Sequence, residues 1–244
     1  MFKLRLEMVL NIKTPGGVRM FTIAEALILL GTDDEKGTAV SSASSSLNYG
    51  LTGSILSELA MMGRIELKDG KVILADDTLT EISYFNTVID EIKEDHKERT
   101  VEHWINHFSG NTKAINDPVY LSLVDKGILK EEDKTYFLFF NTNVYPTVDA
   151  RPEQEIRKHV NDVVFNNREA DSEIAMLLSL IKTCDLTAEV FGRERKEEAD
   201  KKLAEIIENN EYGKAVSKTV QDMEAAILMA TTTVVTTTVI MNNN

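Results

Sequence analysis

Residues 50–75 read GLTGSILSELAMMGRIELKDGKVILA, and this stretch decides the fold. Its first half predicts a helix with a broad apolar face toward a core, because apolar residues recur at spacings of one, three or four: Leu51, Ile55, Leu56, Leu59 and Met62. Gly63 follows, where a left-handed cap ends a helix at least cost. Residues 65–67 then alternate with period two, and Asp69-Gly70 favours a two-residue hairpin turn before a return strand at 72–74.

The same order of helix, glycine and hairpin recurs further along the chain. Residues 119–125 predict a helix that ends at Gly127, followed by a strand at 128–129, an acidic turn at 131–133 and a second strand at 136–140. This second strand is the aromatic run Tyr136-Phe137-Leu138-Phe139-Phe140. If one face of the run is exposed, it is an interaction surface. The alternative is that both faces pack, as is usual for a continuous apolar run.

The remaining sequence is mostly helical in pattern. Thr22 and Glu25 have the spacing of a capping box at the start of a helix that stops at Gly31, and the serine-rich residues 41–46 predict a loop. Further helices are predicted at 80–94, 101–108, 151–165, 172–183, 186–191, 193–207 and 212–230. The expected fold class is mainly α, a single helical domain with two small β-hairpins.

The domain expected from these elements spans residues 20–230. Residues 231–244 are expected to be a frayed tail after a packed final helix. Residues 1–19 are either an extra strand pair or a leader that is not native, since Met20 is itself a possible start. The uncharged run 225–241 contains six threonines, which favours a packed helix over a membrane anchor.

Composition limits the possible partners. The net charge is −13, so the average surface repels nucleic acid and anionic lipid, and lipid binding requires a local basic patch. The single cysteine, Cys184, excludes an internal disulfide framework, and the N-terminus lacks a secretory signal pattern. We therefore expect a cytoplasmic protein, with a peripheral position on the cytoplasmic face of a membrane as a further option.

Several short blocks in a fixed order resemble the Golgi phosphoprotein 3 family, with the bacterial members closer than the Golgi proteins. The blocks are TIAEALILL (22–30), DDEKG (33–37), LTG (51–53), ELA (58–60), GRI (63–65), TV (100–101), WI (104–105), LVDKGI (123–128) and YP (145–146). The resemblance extends from about residue 20 to residue 230. It implies a mostly helical domain without catalytic activity or cofactor.

The resemblance also implies a function. Eukaryotic members are peripheral membrane adaptors that bind phosphatidylinositol 4-phosphate and retain glycosyltransferases, and members self-associate and touch the membrane through the second hairpin. Their headgroup site uses a loop tryptophan, an arginine in a Leu-Arg-Gly motif and two basic residues three apart on the helix before that hairpin. Several cations suit a phosphomonoester, which carries nearly two charges.

Most of these site positions are changed in this sequence. The arginine position is Thr52, the tryptophan position falls on Ser42 or Ala43, and the two basic positions are Lys113 and Asn116. Only Lys113 keeps a charge. Arg64 and Lys68 lie nearby in sequence as possible compensating cations, although Arg64 equally fits a structural role.

Other residue patterns do not predict chemistry of their own. His103 and His107 stand four apart, but a third metal ligand is not evident, and Gly50-Leu-Thr-Gly53 lacks the features of a nucleotide loop. Paired carboxylates lie in solvated turns. We therefore predict no metal site, no cofactor and no enzyme activity.

The sequence leaves three functions to compare. The first is a non-enzymatic peripheral lipid-binding adaptor with a degraded headgroup site, and the second is a soluble bacterial cytosolic protein-interaction module without phosphoinositide binding. The third is a DNA-binding protein, because the repeated helix-and-hairpin units resemble winged helices. The acidic charge argues against the third function.

Overall fold

The structure, a computed structural model, describes residues 10–14, 17–136, 140–208, 228–233 and 236. It confirms a mainly α fold with small antiparallel sheets. The helices are α1 (Ile23–Gly31), α2 (Leu47–Met61), α3 (Ser83–Glu94), α4 (Val101–Ser109), α5 (Thr112–Asp125), α6 (Arg151–Phe165), α7 (Ser172–Thr183), α8 (Thr187–Phe191) and α9 (Lys196–Glu208). The strands are β1 (Leu10–Thr14), β2 (Gly17–Phe21), β3 (Ile65–Lys68), β4 (Lys71–Leu74), β5 (Arg99–Thr100), β6 (Glu132–Tyr136) and β7 (Phe140–Val144).

Helix α1 lies at the centre of the fold, and all of its residues are buried. It packs against α2, α5, α6, α7 and α8. The predicted capping box is present: Thr22 Oγ1 accepts from Glu25 N, and Glu25 Oε2 accepts from Thr22 N, both at 3.0 Å. Glu58 of α2 adds a further acceptor, for Ile23 N at 2.9 Å. A helix without a solvent face needs such internal partners, because water cannot reach its first N–H groups.

The first hairpin follows helix α2 as the sequence predicts. Gly63 has φ +69°, and Asp69 and Gly70 have φ +50° and +74°. Lys68 therefore pairs with Lys71 across a two-residue turn of the kind that matches strand twist. Strand β5 extends this sheet by pairing with β4. The same glycine cap recurs after α5, where Gly127 has φ +70°.

The second hairpin differs from the prediction. The expected acidic turn at 131–133 overlaps strand β6, which pairs with β7 in a register that places Tyr136 opposite Phe140. The run 136–140 is therefore not one continuous strand. The sequence of β6 does not alternate between apolar and polar residues, and Asp133 is exposed. The usual sequence signal for a strand is therefore absent from β6.

Two helix starts also differ from the prediction. Helix α3 begins at Ser83 rather than residue 80, because Asn86 Oδ1 accepts from both the backbone N–H and the hydroxyl of Thr80, at 2.7 and 3.0 Å. Helix α5 begins at Thr112, where Asn111 caps it, and it contains Pro118. Helix α5 therefore begins before residue 119, where the apolar pattern predicts its start.

The C-terminal segment is described only in part. Of the helix predicted at 212–230, residues 228–230 are helical, residues 231–233 continue that helix, and the rest lies outside the described residues. Leu228 and Ala230 pack against the core. Among the helices described, none has the length and apolar content to cross a membrane.

Candidate functional site

Thr52 lies inside the protein rather than at its surface. Its side chain is fully buried, and Oγ1 donates to the backbone oxygen of Asn48 at 3.1 Å, one turn earlier on α2. A hydroxyl bonded in this way to its own helix is already satisfied. Thr52, at the position that the resemblance assigns to an arginine, is therefore not a free hydrogen-bond donor toward solvent.

Asn116 of α5 meets the same residue of α2. Its Nδ2 donates to Asn48 Oδ1 at 2.7 Å, so the side-chain amide of Asn48 connects the two helices. Asn116 is 6% exposed, and its Oδ1 is buried without a hydrogen-bond partner in the described structure. Asn48 itself is half-buried.

Asn48 is the residue that sequence reasoning missed. The structure joins Thr52 and Asn116 through it: Thr52 bonds its backbone oxygen, and Asn116 bonds its side chain. Its position four residues before Thr52 is a usable signal, because residues four apart share a helix face.

The other positions suggested by the resemblance are divided between core and surface. Ala43 is fully buried, whereas Ser42, its neighbour in the loop before α2, is exposed. Lys113 is exposed in the first turn of α5, three residues before Asn116. The structure thus leaves Ser42 and Lys113 open to solvent, and it closes Ala43 and Thr52 off.

The two candidate compensating cations lie elsewhere. Arg64 forms an ion pair with Asp76, and Lys68 is exposed at the tip of the first hairpin. Both follow the C-terminal end of α2, whereas Asn48 lies at its N-terminal end, and at 1.5 Å per residue the intervening helix is about 20 Å long. Arg64 and Lys68 are therefore not part of the cluster around Asn48.

The chemistry available around Asn48 is mainly that of neutral amides. Asn48 and Asn116 each carry one acceptor and one NH₂ group, and Lys113 supplies a positive charge nearby on α5. The backbone N–H groups of the first turn of α5 add a partial positive charge, and no acidic residue in that turn offsets it. This set is weaker than several arginines for a dianion but suits polar ligands of low charge.

The proposed self-association hairpin is only partly described. Tyr136 ends β6 and Phe140 begins β7, while Phe137, Leu138 and Phe139 lie outside the described residues. Whether the aromatic run forms an interaction surface therefore stays a prediction.

Glu25 and Glu58 lie together in the core, at the start of α1. Glu25 is bonded by Lys126 Nζ at 2.6 Å and by Ser122 Oγ at 2.6 Å. Burial raises the pKa of Glu58 well above its ordinary range, against the opposing effect of the bond from Ile23 N–H. Glu25 and Glu58 are each 1% exposed, so their carboxyl groups lie in the core and not at a surface that a substrate reaches.

The histidine pair has a different arrangement from a metal site. The rings of His103 and His107 stack at 6.0 Å, and His107 Nε2 lies 2.5 Å from Glu91 Oε2. Burial lowers the pKa of His103, and the positive charge of Arg99 acts in the same direction. Within the described ranges, no group of three or more histidine, cysteine or acidic residues is placed to hold a metal ion.

A cleft of about 290 Å³ lies beside the loop after α1. Two basic residues, Lys36 and Arg157, line it together with five carboxylates. The carboxylates are those of Asp33, Asp34, Glu35, Glu153 and Glu189. Arg157 donates to Glu153 Oε1 and to the backbone oxygen of Glu189, both at 2.6 Å. Arg157 also forms an ion pair with Glu189 Oε1 at 3.3 Å. The Arg157–Glu153 pair therefore lies within α6, and the contacts of Arg157 with Glu189 join α6 to α8.

Comparison with known proteins relates this chain to a family. The model of the family described as Golgi phosphoprotein 3 (GPP34) matches residues 23–223. The chain is 32% identical over 167 residues to vacuolar protein sorting-associated protein 74 of Schizosaccharomyces pombe, a match that covers 59% of this chain. The match spans about half of that protein, 48% of its length. The family model covers most of the chain, so the chain belongs to the Golgi phosphoprotein 3 family.

Proposed function

We propose that this protein is a non-enzymatic adaptor that acts on the cytoplasmic face of a membrane, and that its headgroup site has lost most of its affinity for phosphatidylinositol 4-phosphate. Family membership and the similarity to a protein named for vacuolar protein sorting support the adaptor role. The observation that carries the loss of affinity is the closed cluster around Asn48. Thr52 is satisfied within α2, and Asn116 is committed to Asn48.

The missing cations account for the expected loss of affinity. A hydrogen bond to a charged group contributes about 1.5–3 kcal/mol, so the loss of two such contacts weakens binding by about two to four orders of magnitude. Lys113 alone does not replace them, and Arg64 is paired with Asp76. We therefore expect binding to anionic membranes that is weak and not selective for the phosphomonoester.

The alternative is a soluble protein-interaction module that uses the same fold. It is favoured by the small number of exposed cations at the site, where Lys113 is the charged residue retained. This reading relies on self-association through residues 136–140. Analytical ultracentrifugation of the full chain and of a variant lacking those residues tests it, and a monomer whose state is unchanged by the deletion contradicts it.

Vesicle flotation tests the proposed membrane function. Phosphatidylcholine vesicles carry either phosphatidylserine or phosphatidylinositol 4-phosphate, matched in total charge, at low salt. We expect weak binding to both anionic compositions and none to neutral vesicles. Strong selectivity of the unmodified protein for phosphatidylinositol 4-phosphate contradicts a degraded site, and flotation with no composition contradicts the membrane role.

Gain-of-function variants sharpen this test. Asn116→Arg restores a basic residue, and Ser42→Trp places an interfacial aromatic at an exposed position that disturbs no packing. The pair is expected to raise binding to phosphatidylinositol 4-phosphate by about tenfold or more. Ser44→Trp, in the same loop and also exposed, is the matched control. Asn116→Arg and Thr52→Arg both enter buried positions, so circular dichroism must first show that these variants fold.

A further inference from the structure

Helix α4 carries a histidine near each of its ends. His103 lies in the first turn and His107 in the last turn, and their rings stack with centroids 6.0 Å apart. Trp104, the single tryptophan of the chain, is 3% exposed, and its ring lies nearly perpendicular to both imidazoles at 5.4 and 5.7 Å. A charge on either imidazole therefore acts within one compact cluster beside a buried indole.

The surroundings of His107 suit a positive charge. Its Nε2 lies 2.5 Å from Glu91 Oε2 of α3. The last turn of a helix also attracts cations, because its carbonyl groups carry the negative end of the helix dipole. Protonated His107 therefore pairs with Glu91 and ties the C-terminal end of α4 to α3.

The surroundings of His103 disfavour a positive charge. His103 is the third residue of α4, where the helix dipole is positive, and its backbone N–H donates to the capping Thr100 Oγ1 at 3.2 Å. Burial, Arg99 and His107 lower the pKa of His103 below its ordinary value of 6.5. Asp95, which accepts from Arg99 Nε at 2.8 Å, opposes this shift without cancelling it.

Helices α2 and α5 and strand β5 pack against α4. Within the described ranges, the charges that act on His103 come from Arg99 of β5, from His107, and from Asp95 after α3, while Glu102 is an exposed acidic neighbour in the same turn. The ionisable side chains of the two packed helices are Tyr49 and Glu58 on α2, and Lys113, Asp117, Tyr120 and Asp125 on α5.

The first turn of α4 is continuous with the short strand β5. Thr100 caps α4 and is also the last residue of β5. This strand joins β4 through two residue pairs, Lys71 with Thr100 and Val72 with Arg99. Because Thr100 belongs to both elements, loosening the first turn of α4 also loosens β5.

We propose that α4 is a pH-responsive element, in which protonation of His103 releases the cap at Thr100 and strand β5, while His107 and Glu91 hold the other end of α4 on α3. The pKa of His103 is lower in the folded chain than in the unfolded chain. Its contribution to stability is therefore present above about pH 6.5 and is lost as the pH falls through the folded-state value. Acid thus loosens one end of α4 and keeps the other end in place.

Hydrogen exchange tests the release. Protection factors of the backbone amides of residues 103–105 are measured in the full chain from about pH 7.5 to about pH 5, the range in which histidine titrates, with the amides of α7 as the internal reference. We expect protection at 103–105 to fall with the pH while α7 keeps its protection. Protection that stays constant, or that falls equally in α7, overturns the proposal.

Variants at His103 separate its charge from its packing. His103→Gln does not ionise and is expected to keep the protection of residues 103–105 at every pH, whereas His103→Arg carries a fixed charge and is expected to lack it even at neutral pH. His96→Gln, at an exposed position after α3, is the matched control and should behave like the parent. Circular dichroism at neutral pH checks that each variant folds. Loss of protection in acid that persists in His103→Gln overturns the proposal.

Trp104 provides an independent readout, because a protonated imidazole quenches the fluorescence of a neighbouring indole. We expect its emission to fall in two steps as the pH decreases, the first from His107 and the second from His103. His103→Gln should remove the second step. His107→Gln should move the His103 step to higher pH, because it removes a positive neighbour, and a step that does not move contradicts the role of the stacked pair.

Discussion

Gly50 and Cys184 show how closely helix α2 approaches the end of α7. A Cβ atom on Gly50 would clash with Cys184 Sγ and would lie 3.1 Å from a methyl group of Leu27. Cys184 and Ser46 hold the two segments together, since Ser46 Oγ donates to the backbone oxygen of Cys184 at 3.0 Å. The small residues of α2 therefore allow close packing of helices.

Gly50→Ala is expected to reduce the free energy of unfolding by about 2 kcal/mol, because the added methyl group overpacks this contact. Urea denaturation measures the change. Gly110→Ala is the control, since the nearest atoms to its Cβ lie at an ordinary 3.6 Å. In the double variant Gly50→Ala, Cys184→Ala much of the loss should be recovered, and strictly additive losses would contradict the steric cause.

Glu58 gives a prediction with a definite direction in pH. Its pKa is raised in the folded protein, mainly by burial, so its contribution to stability is fully present below the ordinary glutamate pKa of about 4.3. That contribution is lost as the pH rises through the folded-state value. Glu58→Gln keeps an acceptor for Ile23 N–H and does not ionise.

The free energy of unfolding of Glu58→Gln, minus that of the parent, is therefore expected to rise as pH increases above about 4.3. Urea denaturation across a pH series measures this difference. Asp90→Asn, at an exposed position on α3, serves as the control that removes a carboxylate without burial. A difference that stays constant with pH for Glu58→Gln shows that Glu58 is not desolvated.

Single residues also mark the limit of what the sequence predicts. The capping role of Thr22 is readable because caps depend on local spacing, and this cap is present. Asn48 is not readable in the same way, because its bond to Asn116 joins residues far apart in the chain. The substitutions at Thr52 and Asn116 show from the sequence alone that cations are missing. The hydrogen bond between Asn48 and Asn116 could not be predicted in this way, because it forms only when α2 packs against α5.

At the scale of elements, the N-terminal cap of helix α7 contributes to the free energy of unfolding. Asp171 Oδ1 accepts from Ile174 N at 2.9 Å at the start of α7, a helix whose central residues are buried in the core. Asp171→Ala is expected to lower the free energy of unfolding by about 1 kcal/mol. Thermal denaturation checks the loss, and Asp171→Asn, which keeps a capping oxygen, should lose much less.

Elements with a covered face could be predicted well, and elements without one could not. Helix α7 matches the predicted range 172–183, and α6 matches 151–165, because each has a buried apolar face. Asp171 caps α7, and Pro152 lies in the first turn of α6. The prediction misplaces the β6–β7 ribbon, because Asp133, Thr142 and Asn143 are exposed and the ribbon has no apolar alternation to mark its strands. Val144, at the end of β7, is buried. The first hairpin succeeded because the turn at Asp69-Gly70 fixes its register.

At the scale of the whole molecule, Cys184 reports on global unfolding. The thiol is fully buried, and burial raises its pKa to about 12, so neither access nor ionisation favours reaction in the folded state. An aromatic disulfide reagent is expected to label it only in unfolded molecules. The urea midpoint for labelling should coincide with the midpoint from circular dichroism, and fast labelling without urea would show that α7 opens locally.

Helix α1 has a consequence for how the chain reaches its native state. A helix of this length is only marginally stable alone in water. All residues of α1 are buried in the folded protein, so α1 has no polar face that water could solvate before the other helices pack against it. Its neighbours α2 and α7 are separated by more than a hundred residues of sequence, so the site that receives α1 exists only after most of the chain has been made. Folding of α1 therefore depends on long-range closure, and chains interrupted before α7 should remain clients of chaperones rather than collapse into a stable partial domain.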